Sequence, residues 1–233
     1  MTSFTRPHTR RWVFATLMTV ALSACGGGDS AGPGTKADAN GAPSKNAQAL
    51  SARLDAYALD MPSSMEAASL AFMREEEALA QAVYTQSAQR WPALPIFGNI
   101  AASEARHTQA IKTLLDRYQL PDPLAGLPVG QFRSPAFQAL YAELVAASNT
   151  SLIDALKVGV QIEELDIHDL QTQQAGIDNA DILMVYDQLL RGSRNHLRAY
   201  TKTLSQQGGR YTPQHLSQTE FDAIVQSPME KGH

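Results

Sequence analysis

Six side chains of metal-ligand type recur at helical intervals through the middle of the chain: Glu77, the pair Glu104 and His107, the pair Glu163 and Asp166, and His196. Residues three apart on a helix share a side. Glu104 and His107 therefore project together, and so do Glu163 and Asp166. Carboxylates and imidazoles supply the oxygen and nitrogen ligands that suit iron, manganese or zinc. Four carboxylates and two imidazoles suffice for two divalent ions, with carboxylates bridging or capping. The four negative charges also balance two divalent cations, as a dry core demands, because an uncompensated buried carboxylate costs several kcal/mol.

Each of these motifs is weak alone. Glu-x-x-His arises by chance on many helices, and His196 stands between Arg194 and Arg198, as a surface residue would. The run Glu75-Glu76-Glu77 reads as a charged helix face with two members toward solvent. The set gains weight from the elements that must position it. Ser63-x-x-Glu66 is a capping box, after which Leu70, Met73, Glu77, Ala80 and Tyr84 recur on one helical face. Trp91-Pro92 and Pro95 end that helix. A second helix, from about Phe97 to Tyr118, aligns Ile100, Glu104, His107, Ile111 and Leu114. A stretch broken by Pro121, Pro123, Gly126, Pro128 and Gly130 follows, and Ser134-Pro135 opens a short helix. A third main helix, about Ser151 to Gln174, turns Leu152, Leu156, Gly159, Glu163, Asp166 and Leu170 inward. A fourth, about Asp178 to Gln206, does the same with Ile182, Tyr186, Leu189, Ser193, His196 and Tyr200. The order of short loop, long crossover and short loop predicts an all-α, ferritin-like four-helix bundle whose crossover contains a short extra helix. Glu164 and His168 fall off the inward face and read as surface groups or as supports behind the ligands. Arg191, Arg194 and Asn195 read the same way.

The chain of 233 residues is long enough for one domain with a core and tails. A net charge of −4 and the lack of a basic stripe argue against nucleic-acid binding. A single Cys rules out an internal disulfide, thiolate clusters and a rubredoxin-type Cys-x-x-Cys centre. Any redox cycle therefore needs an external electron donor.

Glu77 to Tyr84 and Ala102-Ser-Glu-Ala-Arg-His107 resemble the first and second helices of rubrerythrin- and bacterioferritin-like proteins. By that resemblance Glu77, Glu104 and His107 are metal ligands and Tyr84 is a tyrosine beside the site. A closer likeness, over roughly residues 60 to 205, is to the domain-of-unknown-function 2202 family, which is ferritin-like and has no settled activity. It is carried by Phe72-Met-Arg-Glu-Glu-Glu-Ala-Leu-Ala80, Asn99-Ile-Ala-Ala-Ser-Glu-Ala-Arg-His107, Ile162-Glu-Glu-Leu-Asp-Ile167 and Arg191-Gly-Ser-Arg-Asn-His-Leu-Arg-Ala199. One departure stands out. Ferritin-like sites carry a second Glu-x-x-His on the fourth helix, whereas Ser193 stands three residues before His196. Asp166 lies where rubrerythrins place an additional carboxylate, and replaces the missing glutamate in this reading.

The N-terminus reads as an address. Arg6, Arg10 and Arg11 precede an apolar run, Trp12 to Leu22, that is shorter than the roughly 20 residues a membrane span needs. The run ends in Leu22-Ser23-Ala24-Cys25, which looks like a bacterial lipobox, so residues 1–24 are expected to be a lipoprotein signal peptide and Cys25 the lipidated anchor. Residues 25–50 are expected to form a flexible tether, 51–208 the bundle and 209–233 a tail packed loosely on it. Gly26 after the Cys points, by resemblance to other lipoproteins, to the periplasmic face of an outer membrane. The expected function is that of a di-iron (or iron–manganese) redox protein acting on ferrous iron, oxygen or peroxide. The alternatives are a metal-storage module and a partner-binding bundle. A homodimer is a further expectation.

Overall fold

The computed structural model describes residues 45–231. The basic start, the apolar run, Cys25 and residues 25–44 of the expected tether lie outside the described residues. Seven helices and no strand occur among the described residues. The chain is an all-α helical bundle, as its apolar spacing predicts.

The main helices are α2 (Ser64–Arg90), α3 (Ile96–Arg117), α5 (Leu152–Gln174) and α6 (Ala180–Gln206), preceded by α1 (Lys45–Leu54). The crossover between the two pairs contains α4 (Pro135–Ser148), and α7 (Gln218–Gln226) closes the chain. α2 packs along α3 and α5 along α6, and the two pairs meet through α2 with α5 and α3 with α6. α4 lies against α2 and α5. The core between them holds Leu70, Met73, Val83, Ile111, Leu114, Leu156, Leu170, Ile182 and Leu189, all essentially inaccessible to solvent.

The helix ends follow local chemistry. Ser63 and Glu66 form the expected capping box, worth about 1 kcal/mol. The other oxygen of Glu66 accepts the amides of Asp178 and Asn179, so one carboxylate caps α2 and also the start of α6. Ser134 caps α4 with Pro135 in its first turn. Arg74 clamps the crossover through Asp122 at 3.0 Å and the carbonyl of Thr108 at 2.9 Å.

Two boundaries differ from the sequence reading. α1 starts within the segment expected to be tether, and the folded part begins before residue 51. Leu54 belongs to the core and Leu50 packs against it, with Ala47 buried at the same helical spacing. The tail is bound tightly, not loosely. Leu216 and Phe221 are buried, and Arg198 donates to the Ile224 carbonyl, the Ser227 hydroxyl and the Glu230 carboxylate. No described helix is long and apolar enough to cross a membrane.

Candidate metal centre

The four main helices each deliver a ligand-type side chain to one level of the bundle. α2 brings Glu77, α3 brings Glu104 and His107, α5 brings Glu163, and α6 brings His196. Donor atoms of Glu77, Glu104 and His107 lie within 4.8 Å of one another, and so do those of Glu104, Glu163 and His196. Glu104 belongs to both triads and stands where a bridging carboxylate would. The carboxylates are no more than 2% exposed, and the rings of His107 and His196 stack at 5.5 Å.

The internal contacts show what these groups point at. His107 Nδ1 lies 2.8 Å from Glu104 and 3.2 Å from Glu77. His196 Nδ1 lies 2.7 Å from Glu104 Oε1 and 3.3 Å from Glu163. Yet His196 Nδ1, Glu104 Oε1 and Glu77 Oε1 are buried without an aligned hydrogen-bond partner. Buried polar atoms are nearly always paired. Buried carboxylate and imidazole atoms left without a hydrogen-bond partner are what the ligands of a cation would be. The donor set thus fits divalent metal on two observations, its chemistry and its orphaned buried atoms.

Asp166 belongs to neither triad. It is buried beside them, with Oδ2 accepting a short hydrogen bond from Ser193 and Oδ1 unpartnered. Ser193, at the corner that lacks a glutamate, thus positions the extra carboxylate of α5. Tyr84 donates to Glu163 Oε1 at 2.7 Å and packs its ring on Tyr200 at 5.1 Å.

Electrostatics divide the carboxylates. Burial pushes Glu77 well above the usual carboxylate range, and the negative charges of Asp166 and Glu104 add to it. Burial and Glu163 push Asp166 up to about 8, against the pull of Ser193. Burial also raises Glu163, with His196 pulling the other way. Burial acts to raise Glu104 too, but His107 and His196 outweigh it and hold Glu104 well below its ordinary value. His196 is raised to about 10, because Glu163 and Glu104 overcome the lowering effect of burial, and His107 is raised in the same way by Glu104. Burial favours the neutral forms of Glu77 and Asp166, and the neighbouring carboxylates favour the protonated imidazoles. Two divalent ions would supply four positive charges, matching the four carboxylates.

Several buried carboxylates escape sequence reasoning. Glu75, Glu76 and Glu77 are all buried, although two of the three were expected in solvent. Glu75 accepts the backbone amide of Ser134. Glu76 is 3% exposed, and neither of its oxygens has a hydrogen-bond donor. Burial, with the negative charges of Asp169 and Asp166, pushes it well above its ordinary range. Glu164, expected at the surface or behind the ligands, is fully buried under the tail. It accepts three successive amides, Gln214, His215 and Leu216, and the Tyr211 hydroxyl at 2.6 Å. His168 is exposed, as expected, and bonds Asp169. Arg194 and Asn195 hold Glu230 of the tail and touch no ligand.

Residues 66–228 match the family model described as an uncharacterized protein domain, DUF2202. The chain is 47% identical over 160 residues to the uncharacterized protein MJ0754 of Methanocaldococcus jannaschii, a match covering 69% of this chain and 86% of that protein. The crystal structure of hypothetical protein MJ0754 from Methanococcus jannaschii superposes with a TM-score of 0.72 at 44% identity, covering 74% of this chain and 98% of that one. The chain belongs to the DUF2202 family.

Proposed function

We propose that this protein is a ferritin-like metalloprotein whose centre holds two divalent ions and serves redox chemistry on ferrous iron, oxygen or peroxide. The observation that carries the reading is the pair of triads sharing Glu104, with Glu77 Oε1, Glu104 Oε1 and His196 Nδ1 buried and lacking an aligned hydrogen-bond partner. Glu77, Glu104 and His107 would hold one ion, and Glu104, Glu163 and His196 the other. Oxygen-rich ligation with one imidazole per ion favours iron, then manganese or zinc. A pair of redox-active ions supplies two electrons for reduction of oxygen or peroxide. The chain's own residues bind and neutralise the ions, exclude bulk water, and keep a hydroxyl proton on Tyr84 that bonds Glu163. Asp166, one turn along α5 from Glu163, adds a further buried carboxylate with one oxygen unpartnered. Electrons for repeated turnover come from an external donor.

Ferrous loading without air, followed by oxygen, tests the redox reading. Oxygen uptake together with a new near-ultraviolet absorption supports it. Stoichiometric metal binding with neither change supports the storage alternative instead.

We also propose that Cys25 carries a lipid that anchors the domain at the periplasmic face of the outer membrane. The lipobox-like Leu22 to Cys25 supports this. Radiolabelled fatty acid should enter the wild-type chain and not the Cys25→Ser variant, and labelling of both would contradict it.

A further inference from the structure

The five converging residues are not equally enclosed. Glu77, Glu104 and Glu163 are at most 2% exposed, whereas the side chains of His107 and His196 are 13% and 11% exposed. The two rings stack at 5.5 Å across the seam between α3 and α6, which is the centre's side toward solvent. Other elements close it elsewhere: α4 lies against α2 and α5, and α7 lies on α6. At the seam the neighbouring element is α1. Its C-terminal end is tied to both helices. Arg53 donates to Gln188 of α6 at 3.2 Å and reaches the Met184 sulfur. Arg117 of α3 pairs with Asp55 at 3.6 Å and donates to the Tyr57 carbonyl at 3.0 Å. The N-terminal half meets the bundle along one stripe, with Ala47 buried and Leu50 packed on the core, while Gln48, Ala49, Ser51 and Ala52 are exposed.

The helical rise fixes what this half covers. Arg117 also pairs with Asp181 at the start of α6, so α1 runs parallel to α3 and antiparallel to α6. Ala47 precedes Arg53 by about 9 Å of helix axis. The same rise along α6 leads from the level of Met184 and Gln188 to Gly192. Along α3, stepping back from Arg117 by the spacing that separates Tyr57 from Ala47 reaches His107. Both routes arrive at one place, since a Cβ on Gly192 would lie 2.5 Å from the His107 ring. The N-terminal half of α1 therefore lies at the level of the two histidines. A helix of 10 residues is marginal by itself. Segments with few buried contacts open well below the cost of global unfolding. The ties from Arg53 to Tyr57 leave a hinge at one end and a weakly seated cover at the other.

We propose that α1 is a hinged cover over the α3–α6 seam, and that divalent ions reach the centre between His107 and His196 when its N-terminal half lifts. The inference rests on the proposed two-ion centre. The imidazoles are the first ligands an entering ion meets, and the buried carboxylates complete its coordination.

The test follows Co(II) uptake by the metal-free full chain in stopped-flow absorption, and its release into excess chelator. Leu50→Asp puts a charge on the covering stripe. Arg53→Ala cuts the tie to α6 at an exposed residue and leaves the core packing as it is. Each variant should speed uptake and release alike, about tenfold, with unchanged final occupancy, because a cover changes rates and not the bound state. Glu230→Ala loosens the tail on the outer face of α6 and should leave both rates as they are. In the wild type, α1 amides should exchange hydrogen while those of α2, α3, α5 and α6 stay protected. Equal rates in all four proteins, equal acceleration by Glu230→Ala, or α1 amides as protected as those of α5 would overturn the cover and leave the centre standing. Loss of bound Co(II) in Leu50→Asp and Arg53→Ala would also overturn it, by making α1 part of the site's framework. A wild type that binds no Co(II) would overturn the centre and the cover together.

Discussion

A metal ligand works only if its neighbours leave room for it, and two glycines do this beside the centre. A Cβ on Gly192 would lie 2.5 Å from the His107 ring, and one on Gly159 would lie 2.6 Å from the Tyr200 ring. Both glycines sit inside helices, where alanine would be favoured by about 1 kcal/mol. The lost propensity is the cost of seating a ring against the backbone. Gly192→Ala should therefore displace His107 and weaken metal binding about tenfold or more, the scale typical of disturbed ligand supports. Calorimetric titration with Mn(II) checks it, and unchanged affinity would mean that the His107 ring is not needed where it stands. At this scale the five converging residues Glu77, Glu104, His107, Glu163 and His196 were legible, because each interrupts an otherwise apolar series at the same depth. Glu76 was not. It sits one residue from Glu77, about 100° round the helix, and only the approach of α5 buries that side.

At the scale of the element, carboxylates fasten helices and tail together. Glu66 joins the starts of α2 and α6, Glu75 holds the start of α4, and Glu164 gathers the chain that leads into α7. Charge-assisted hydrogen bonds are the stronger kind, and orphaned buried donors are costly. Glu164→Ala strands three amides and should cost about 3 kcal/mol. Urea unfolding measures this, and a loss below about 1 kcal/mol would show that the tail adds little to stability. The helices themselves were readable from apolar spacing, the Ser63 and Ser134 caps and the proline breaks. The tail's grip was hidden, because Glu164 points away from the apolar stripe of α5. Its burial depends on chain some fifty residues further on, Gln214 to Leu216. α1 was hidden by the Gly-, Ala- and Ser-rich composition before it, which masks the Ala47, Leu50 and Leu54 stripe.

For the whole molecule, the bundle gathers buried carboxylates in its core whose charge two divalent ions would balance. In the metal-free protein Asp166 has a folded value near 8 against 3.8 for the free side chain. A raised carboxyl group stabilises the fold below its ordinary value, and that contribution is lost as pH rises through about 8. His196, raised from 6.5 to about 10, contributes stability that is likewise lost as pH rises. Glu104 acts oppositely, since its lowered value gives stability that is lost only in acid. The metal-free chain should thus melt at progressively lower temperature as pH is raised from 6 toward 10. Saturating Mn(II) should flatten that dependence, because ligands must be deprotonated to bind. Thermal melts with and without metal check this, and a metal-free protein more stable at high pH would contradict it. The central claim, a two-ion centre pivoting on Glu104, is tested most directly by elemental analysis of the full chain beside its Glu104→Ala variant, after equal exposure to Fe(II), Mn(II) and Zn(II). The account predicts close to two ions per wild-type chain and loss of both in the variant, since Glu104 serves both triads. A wild type that stays free of metal, or a variant that retains as much, would contradict it.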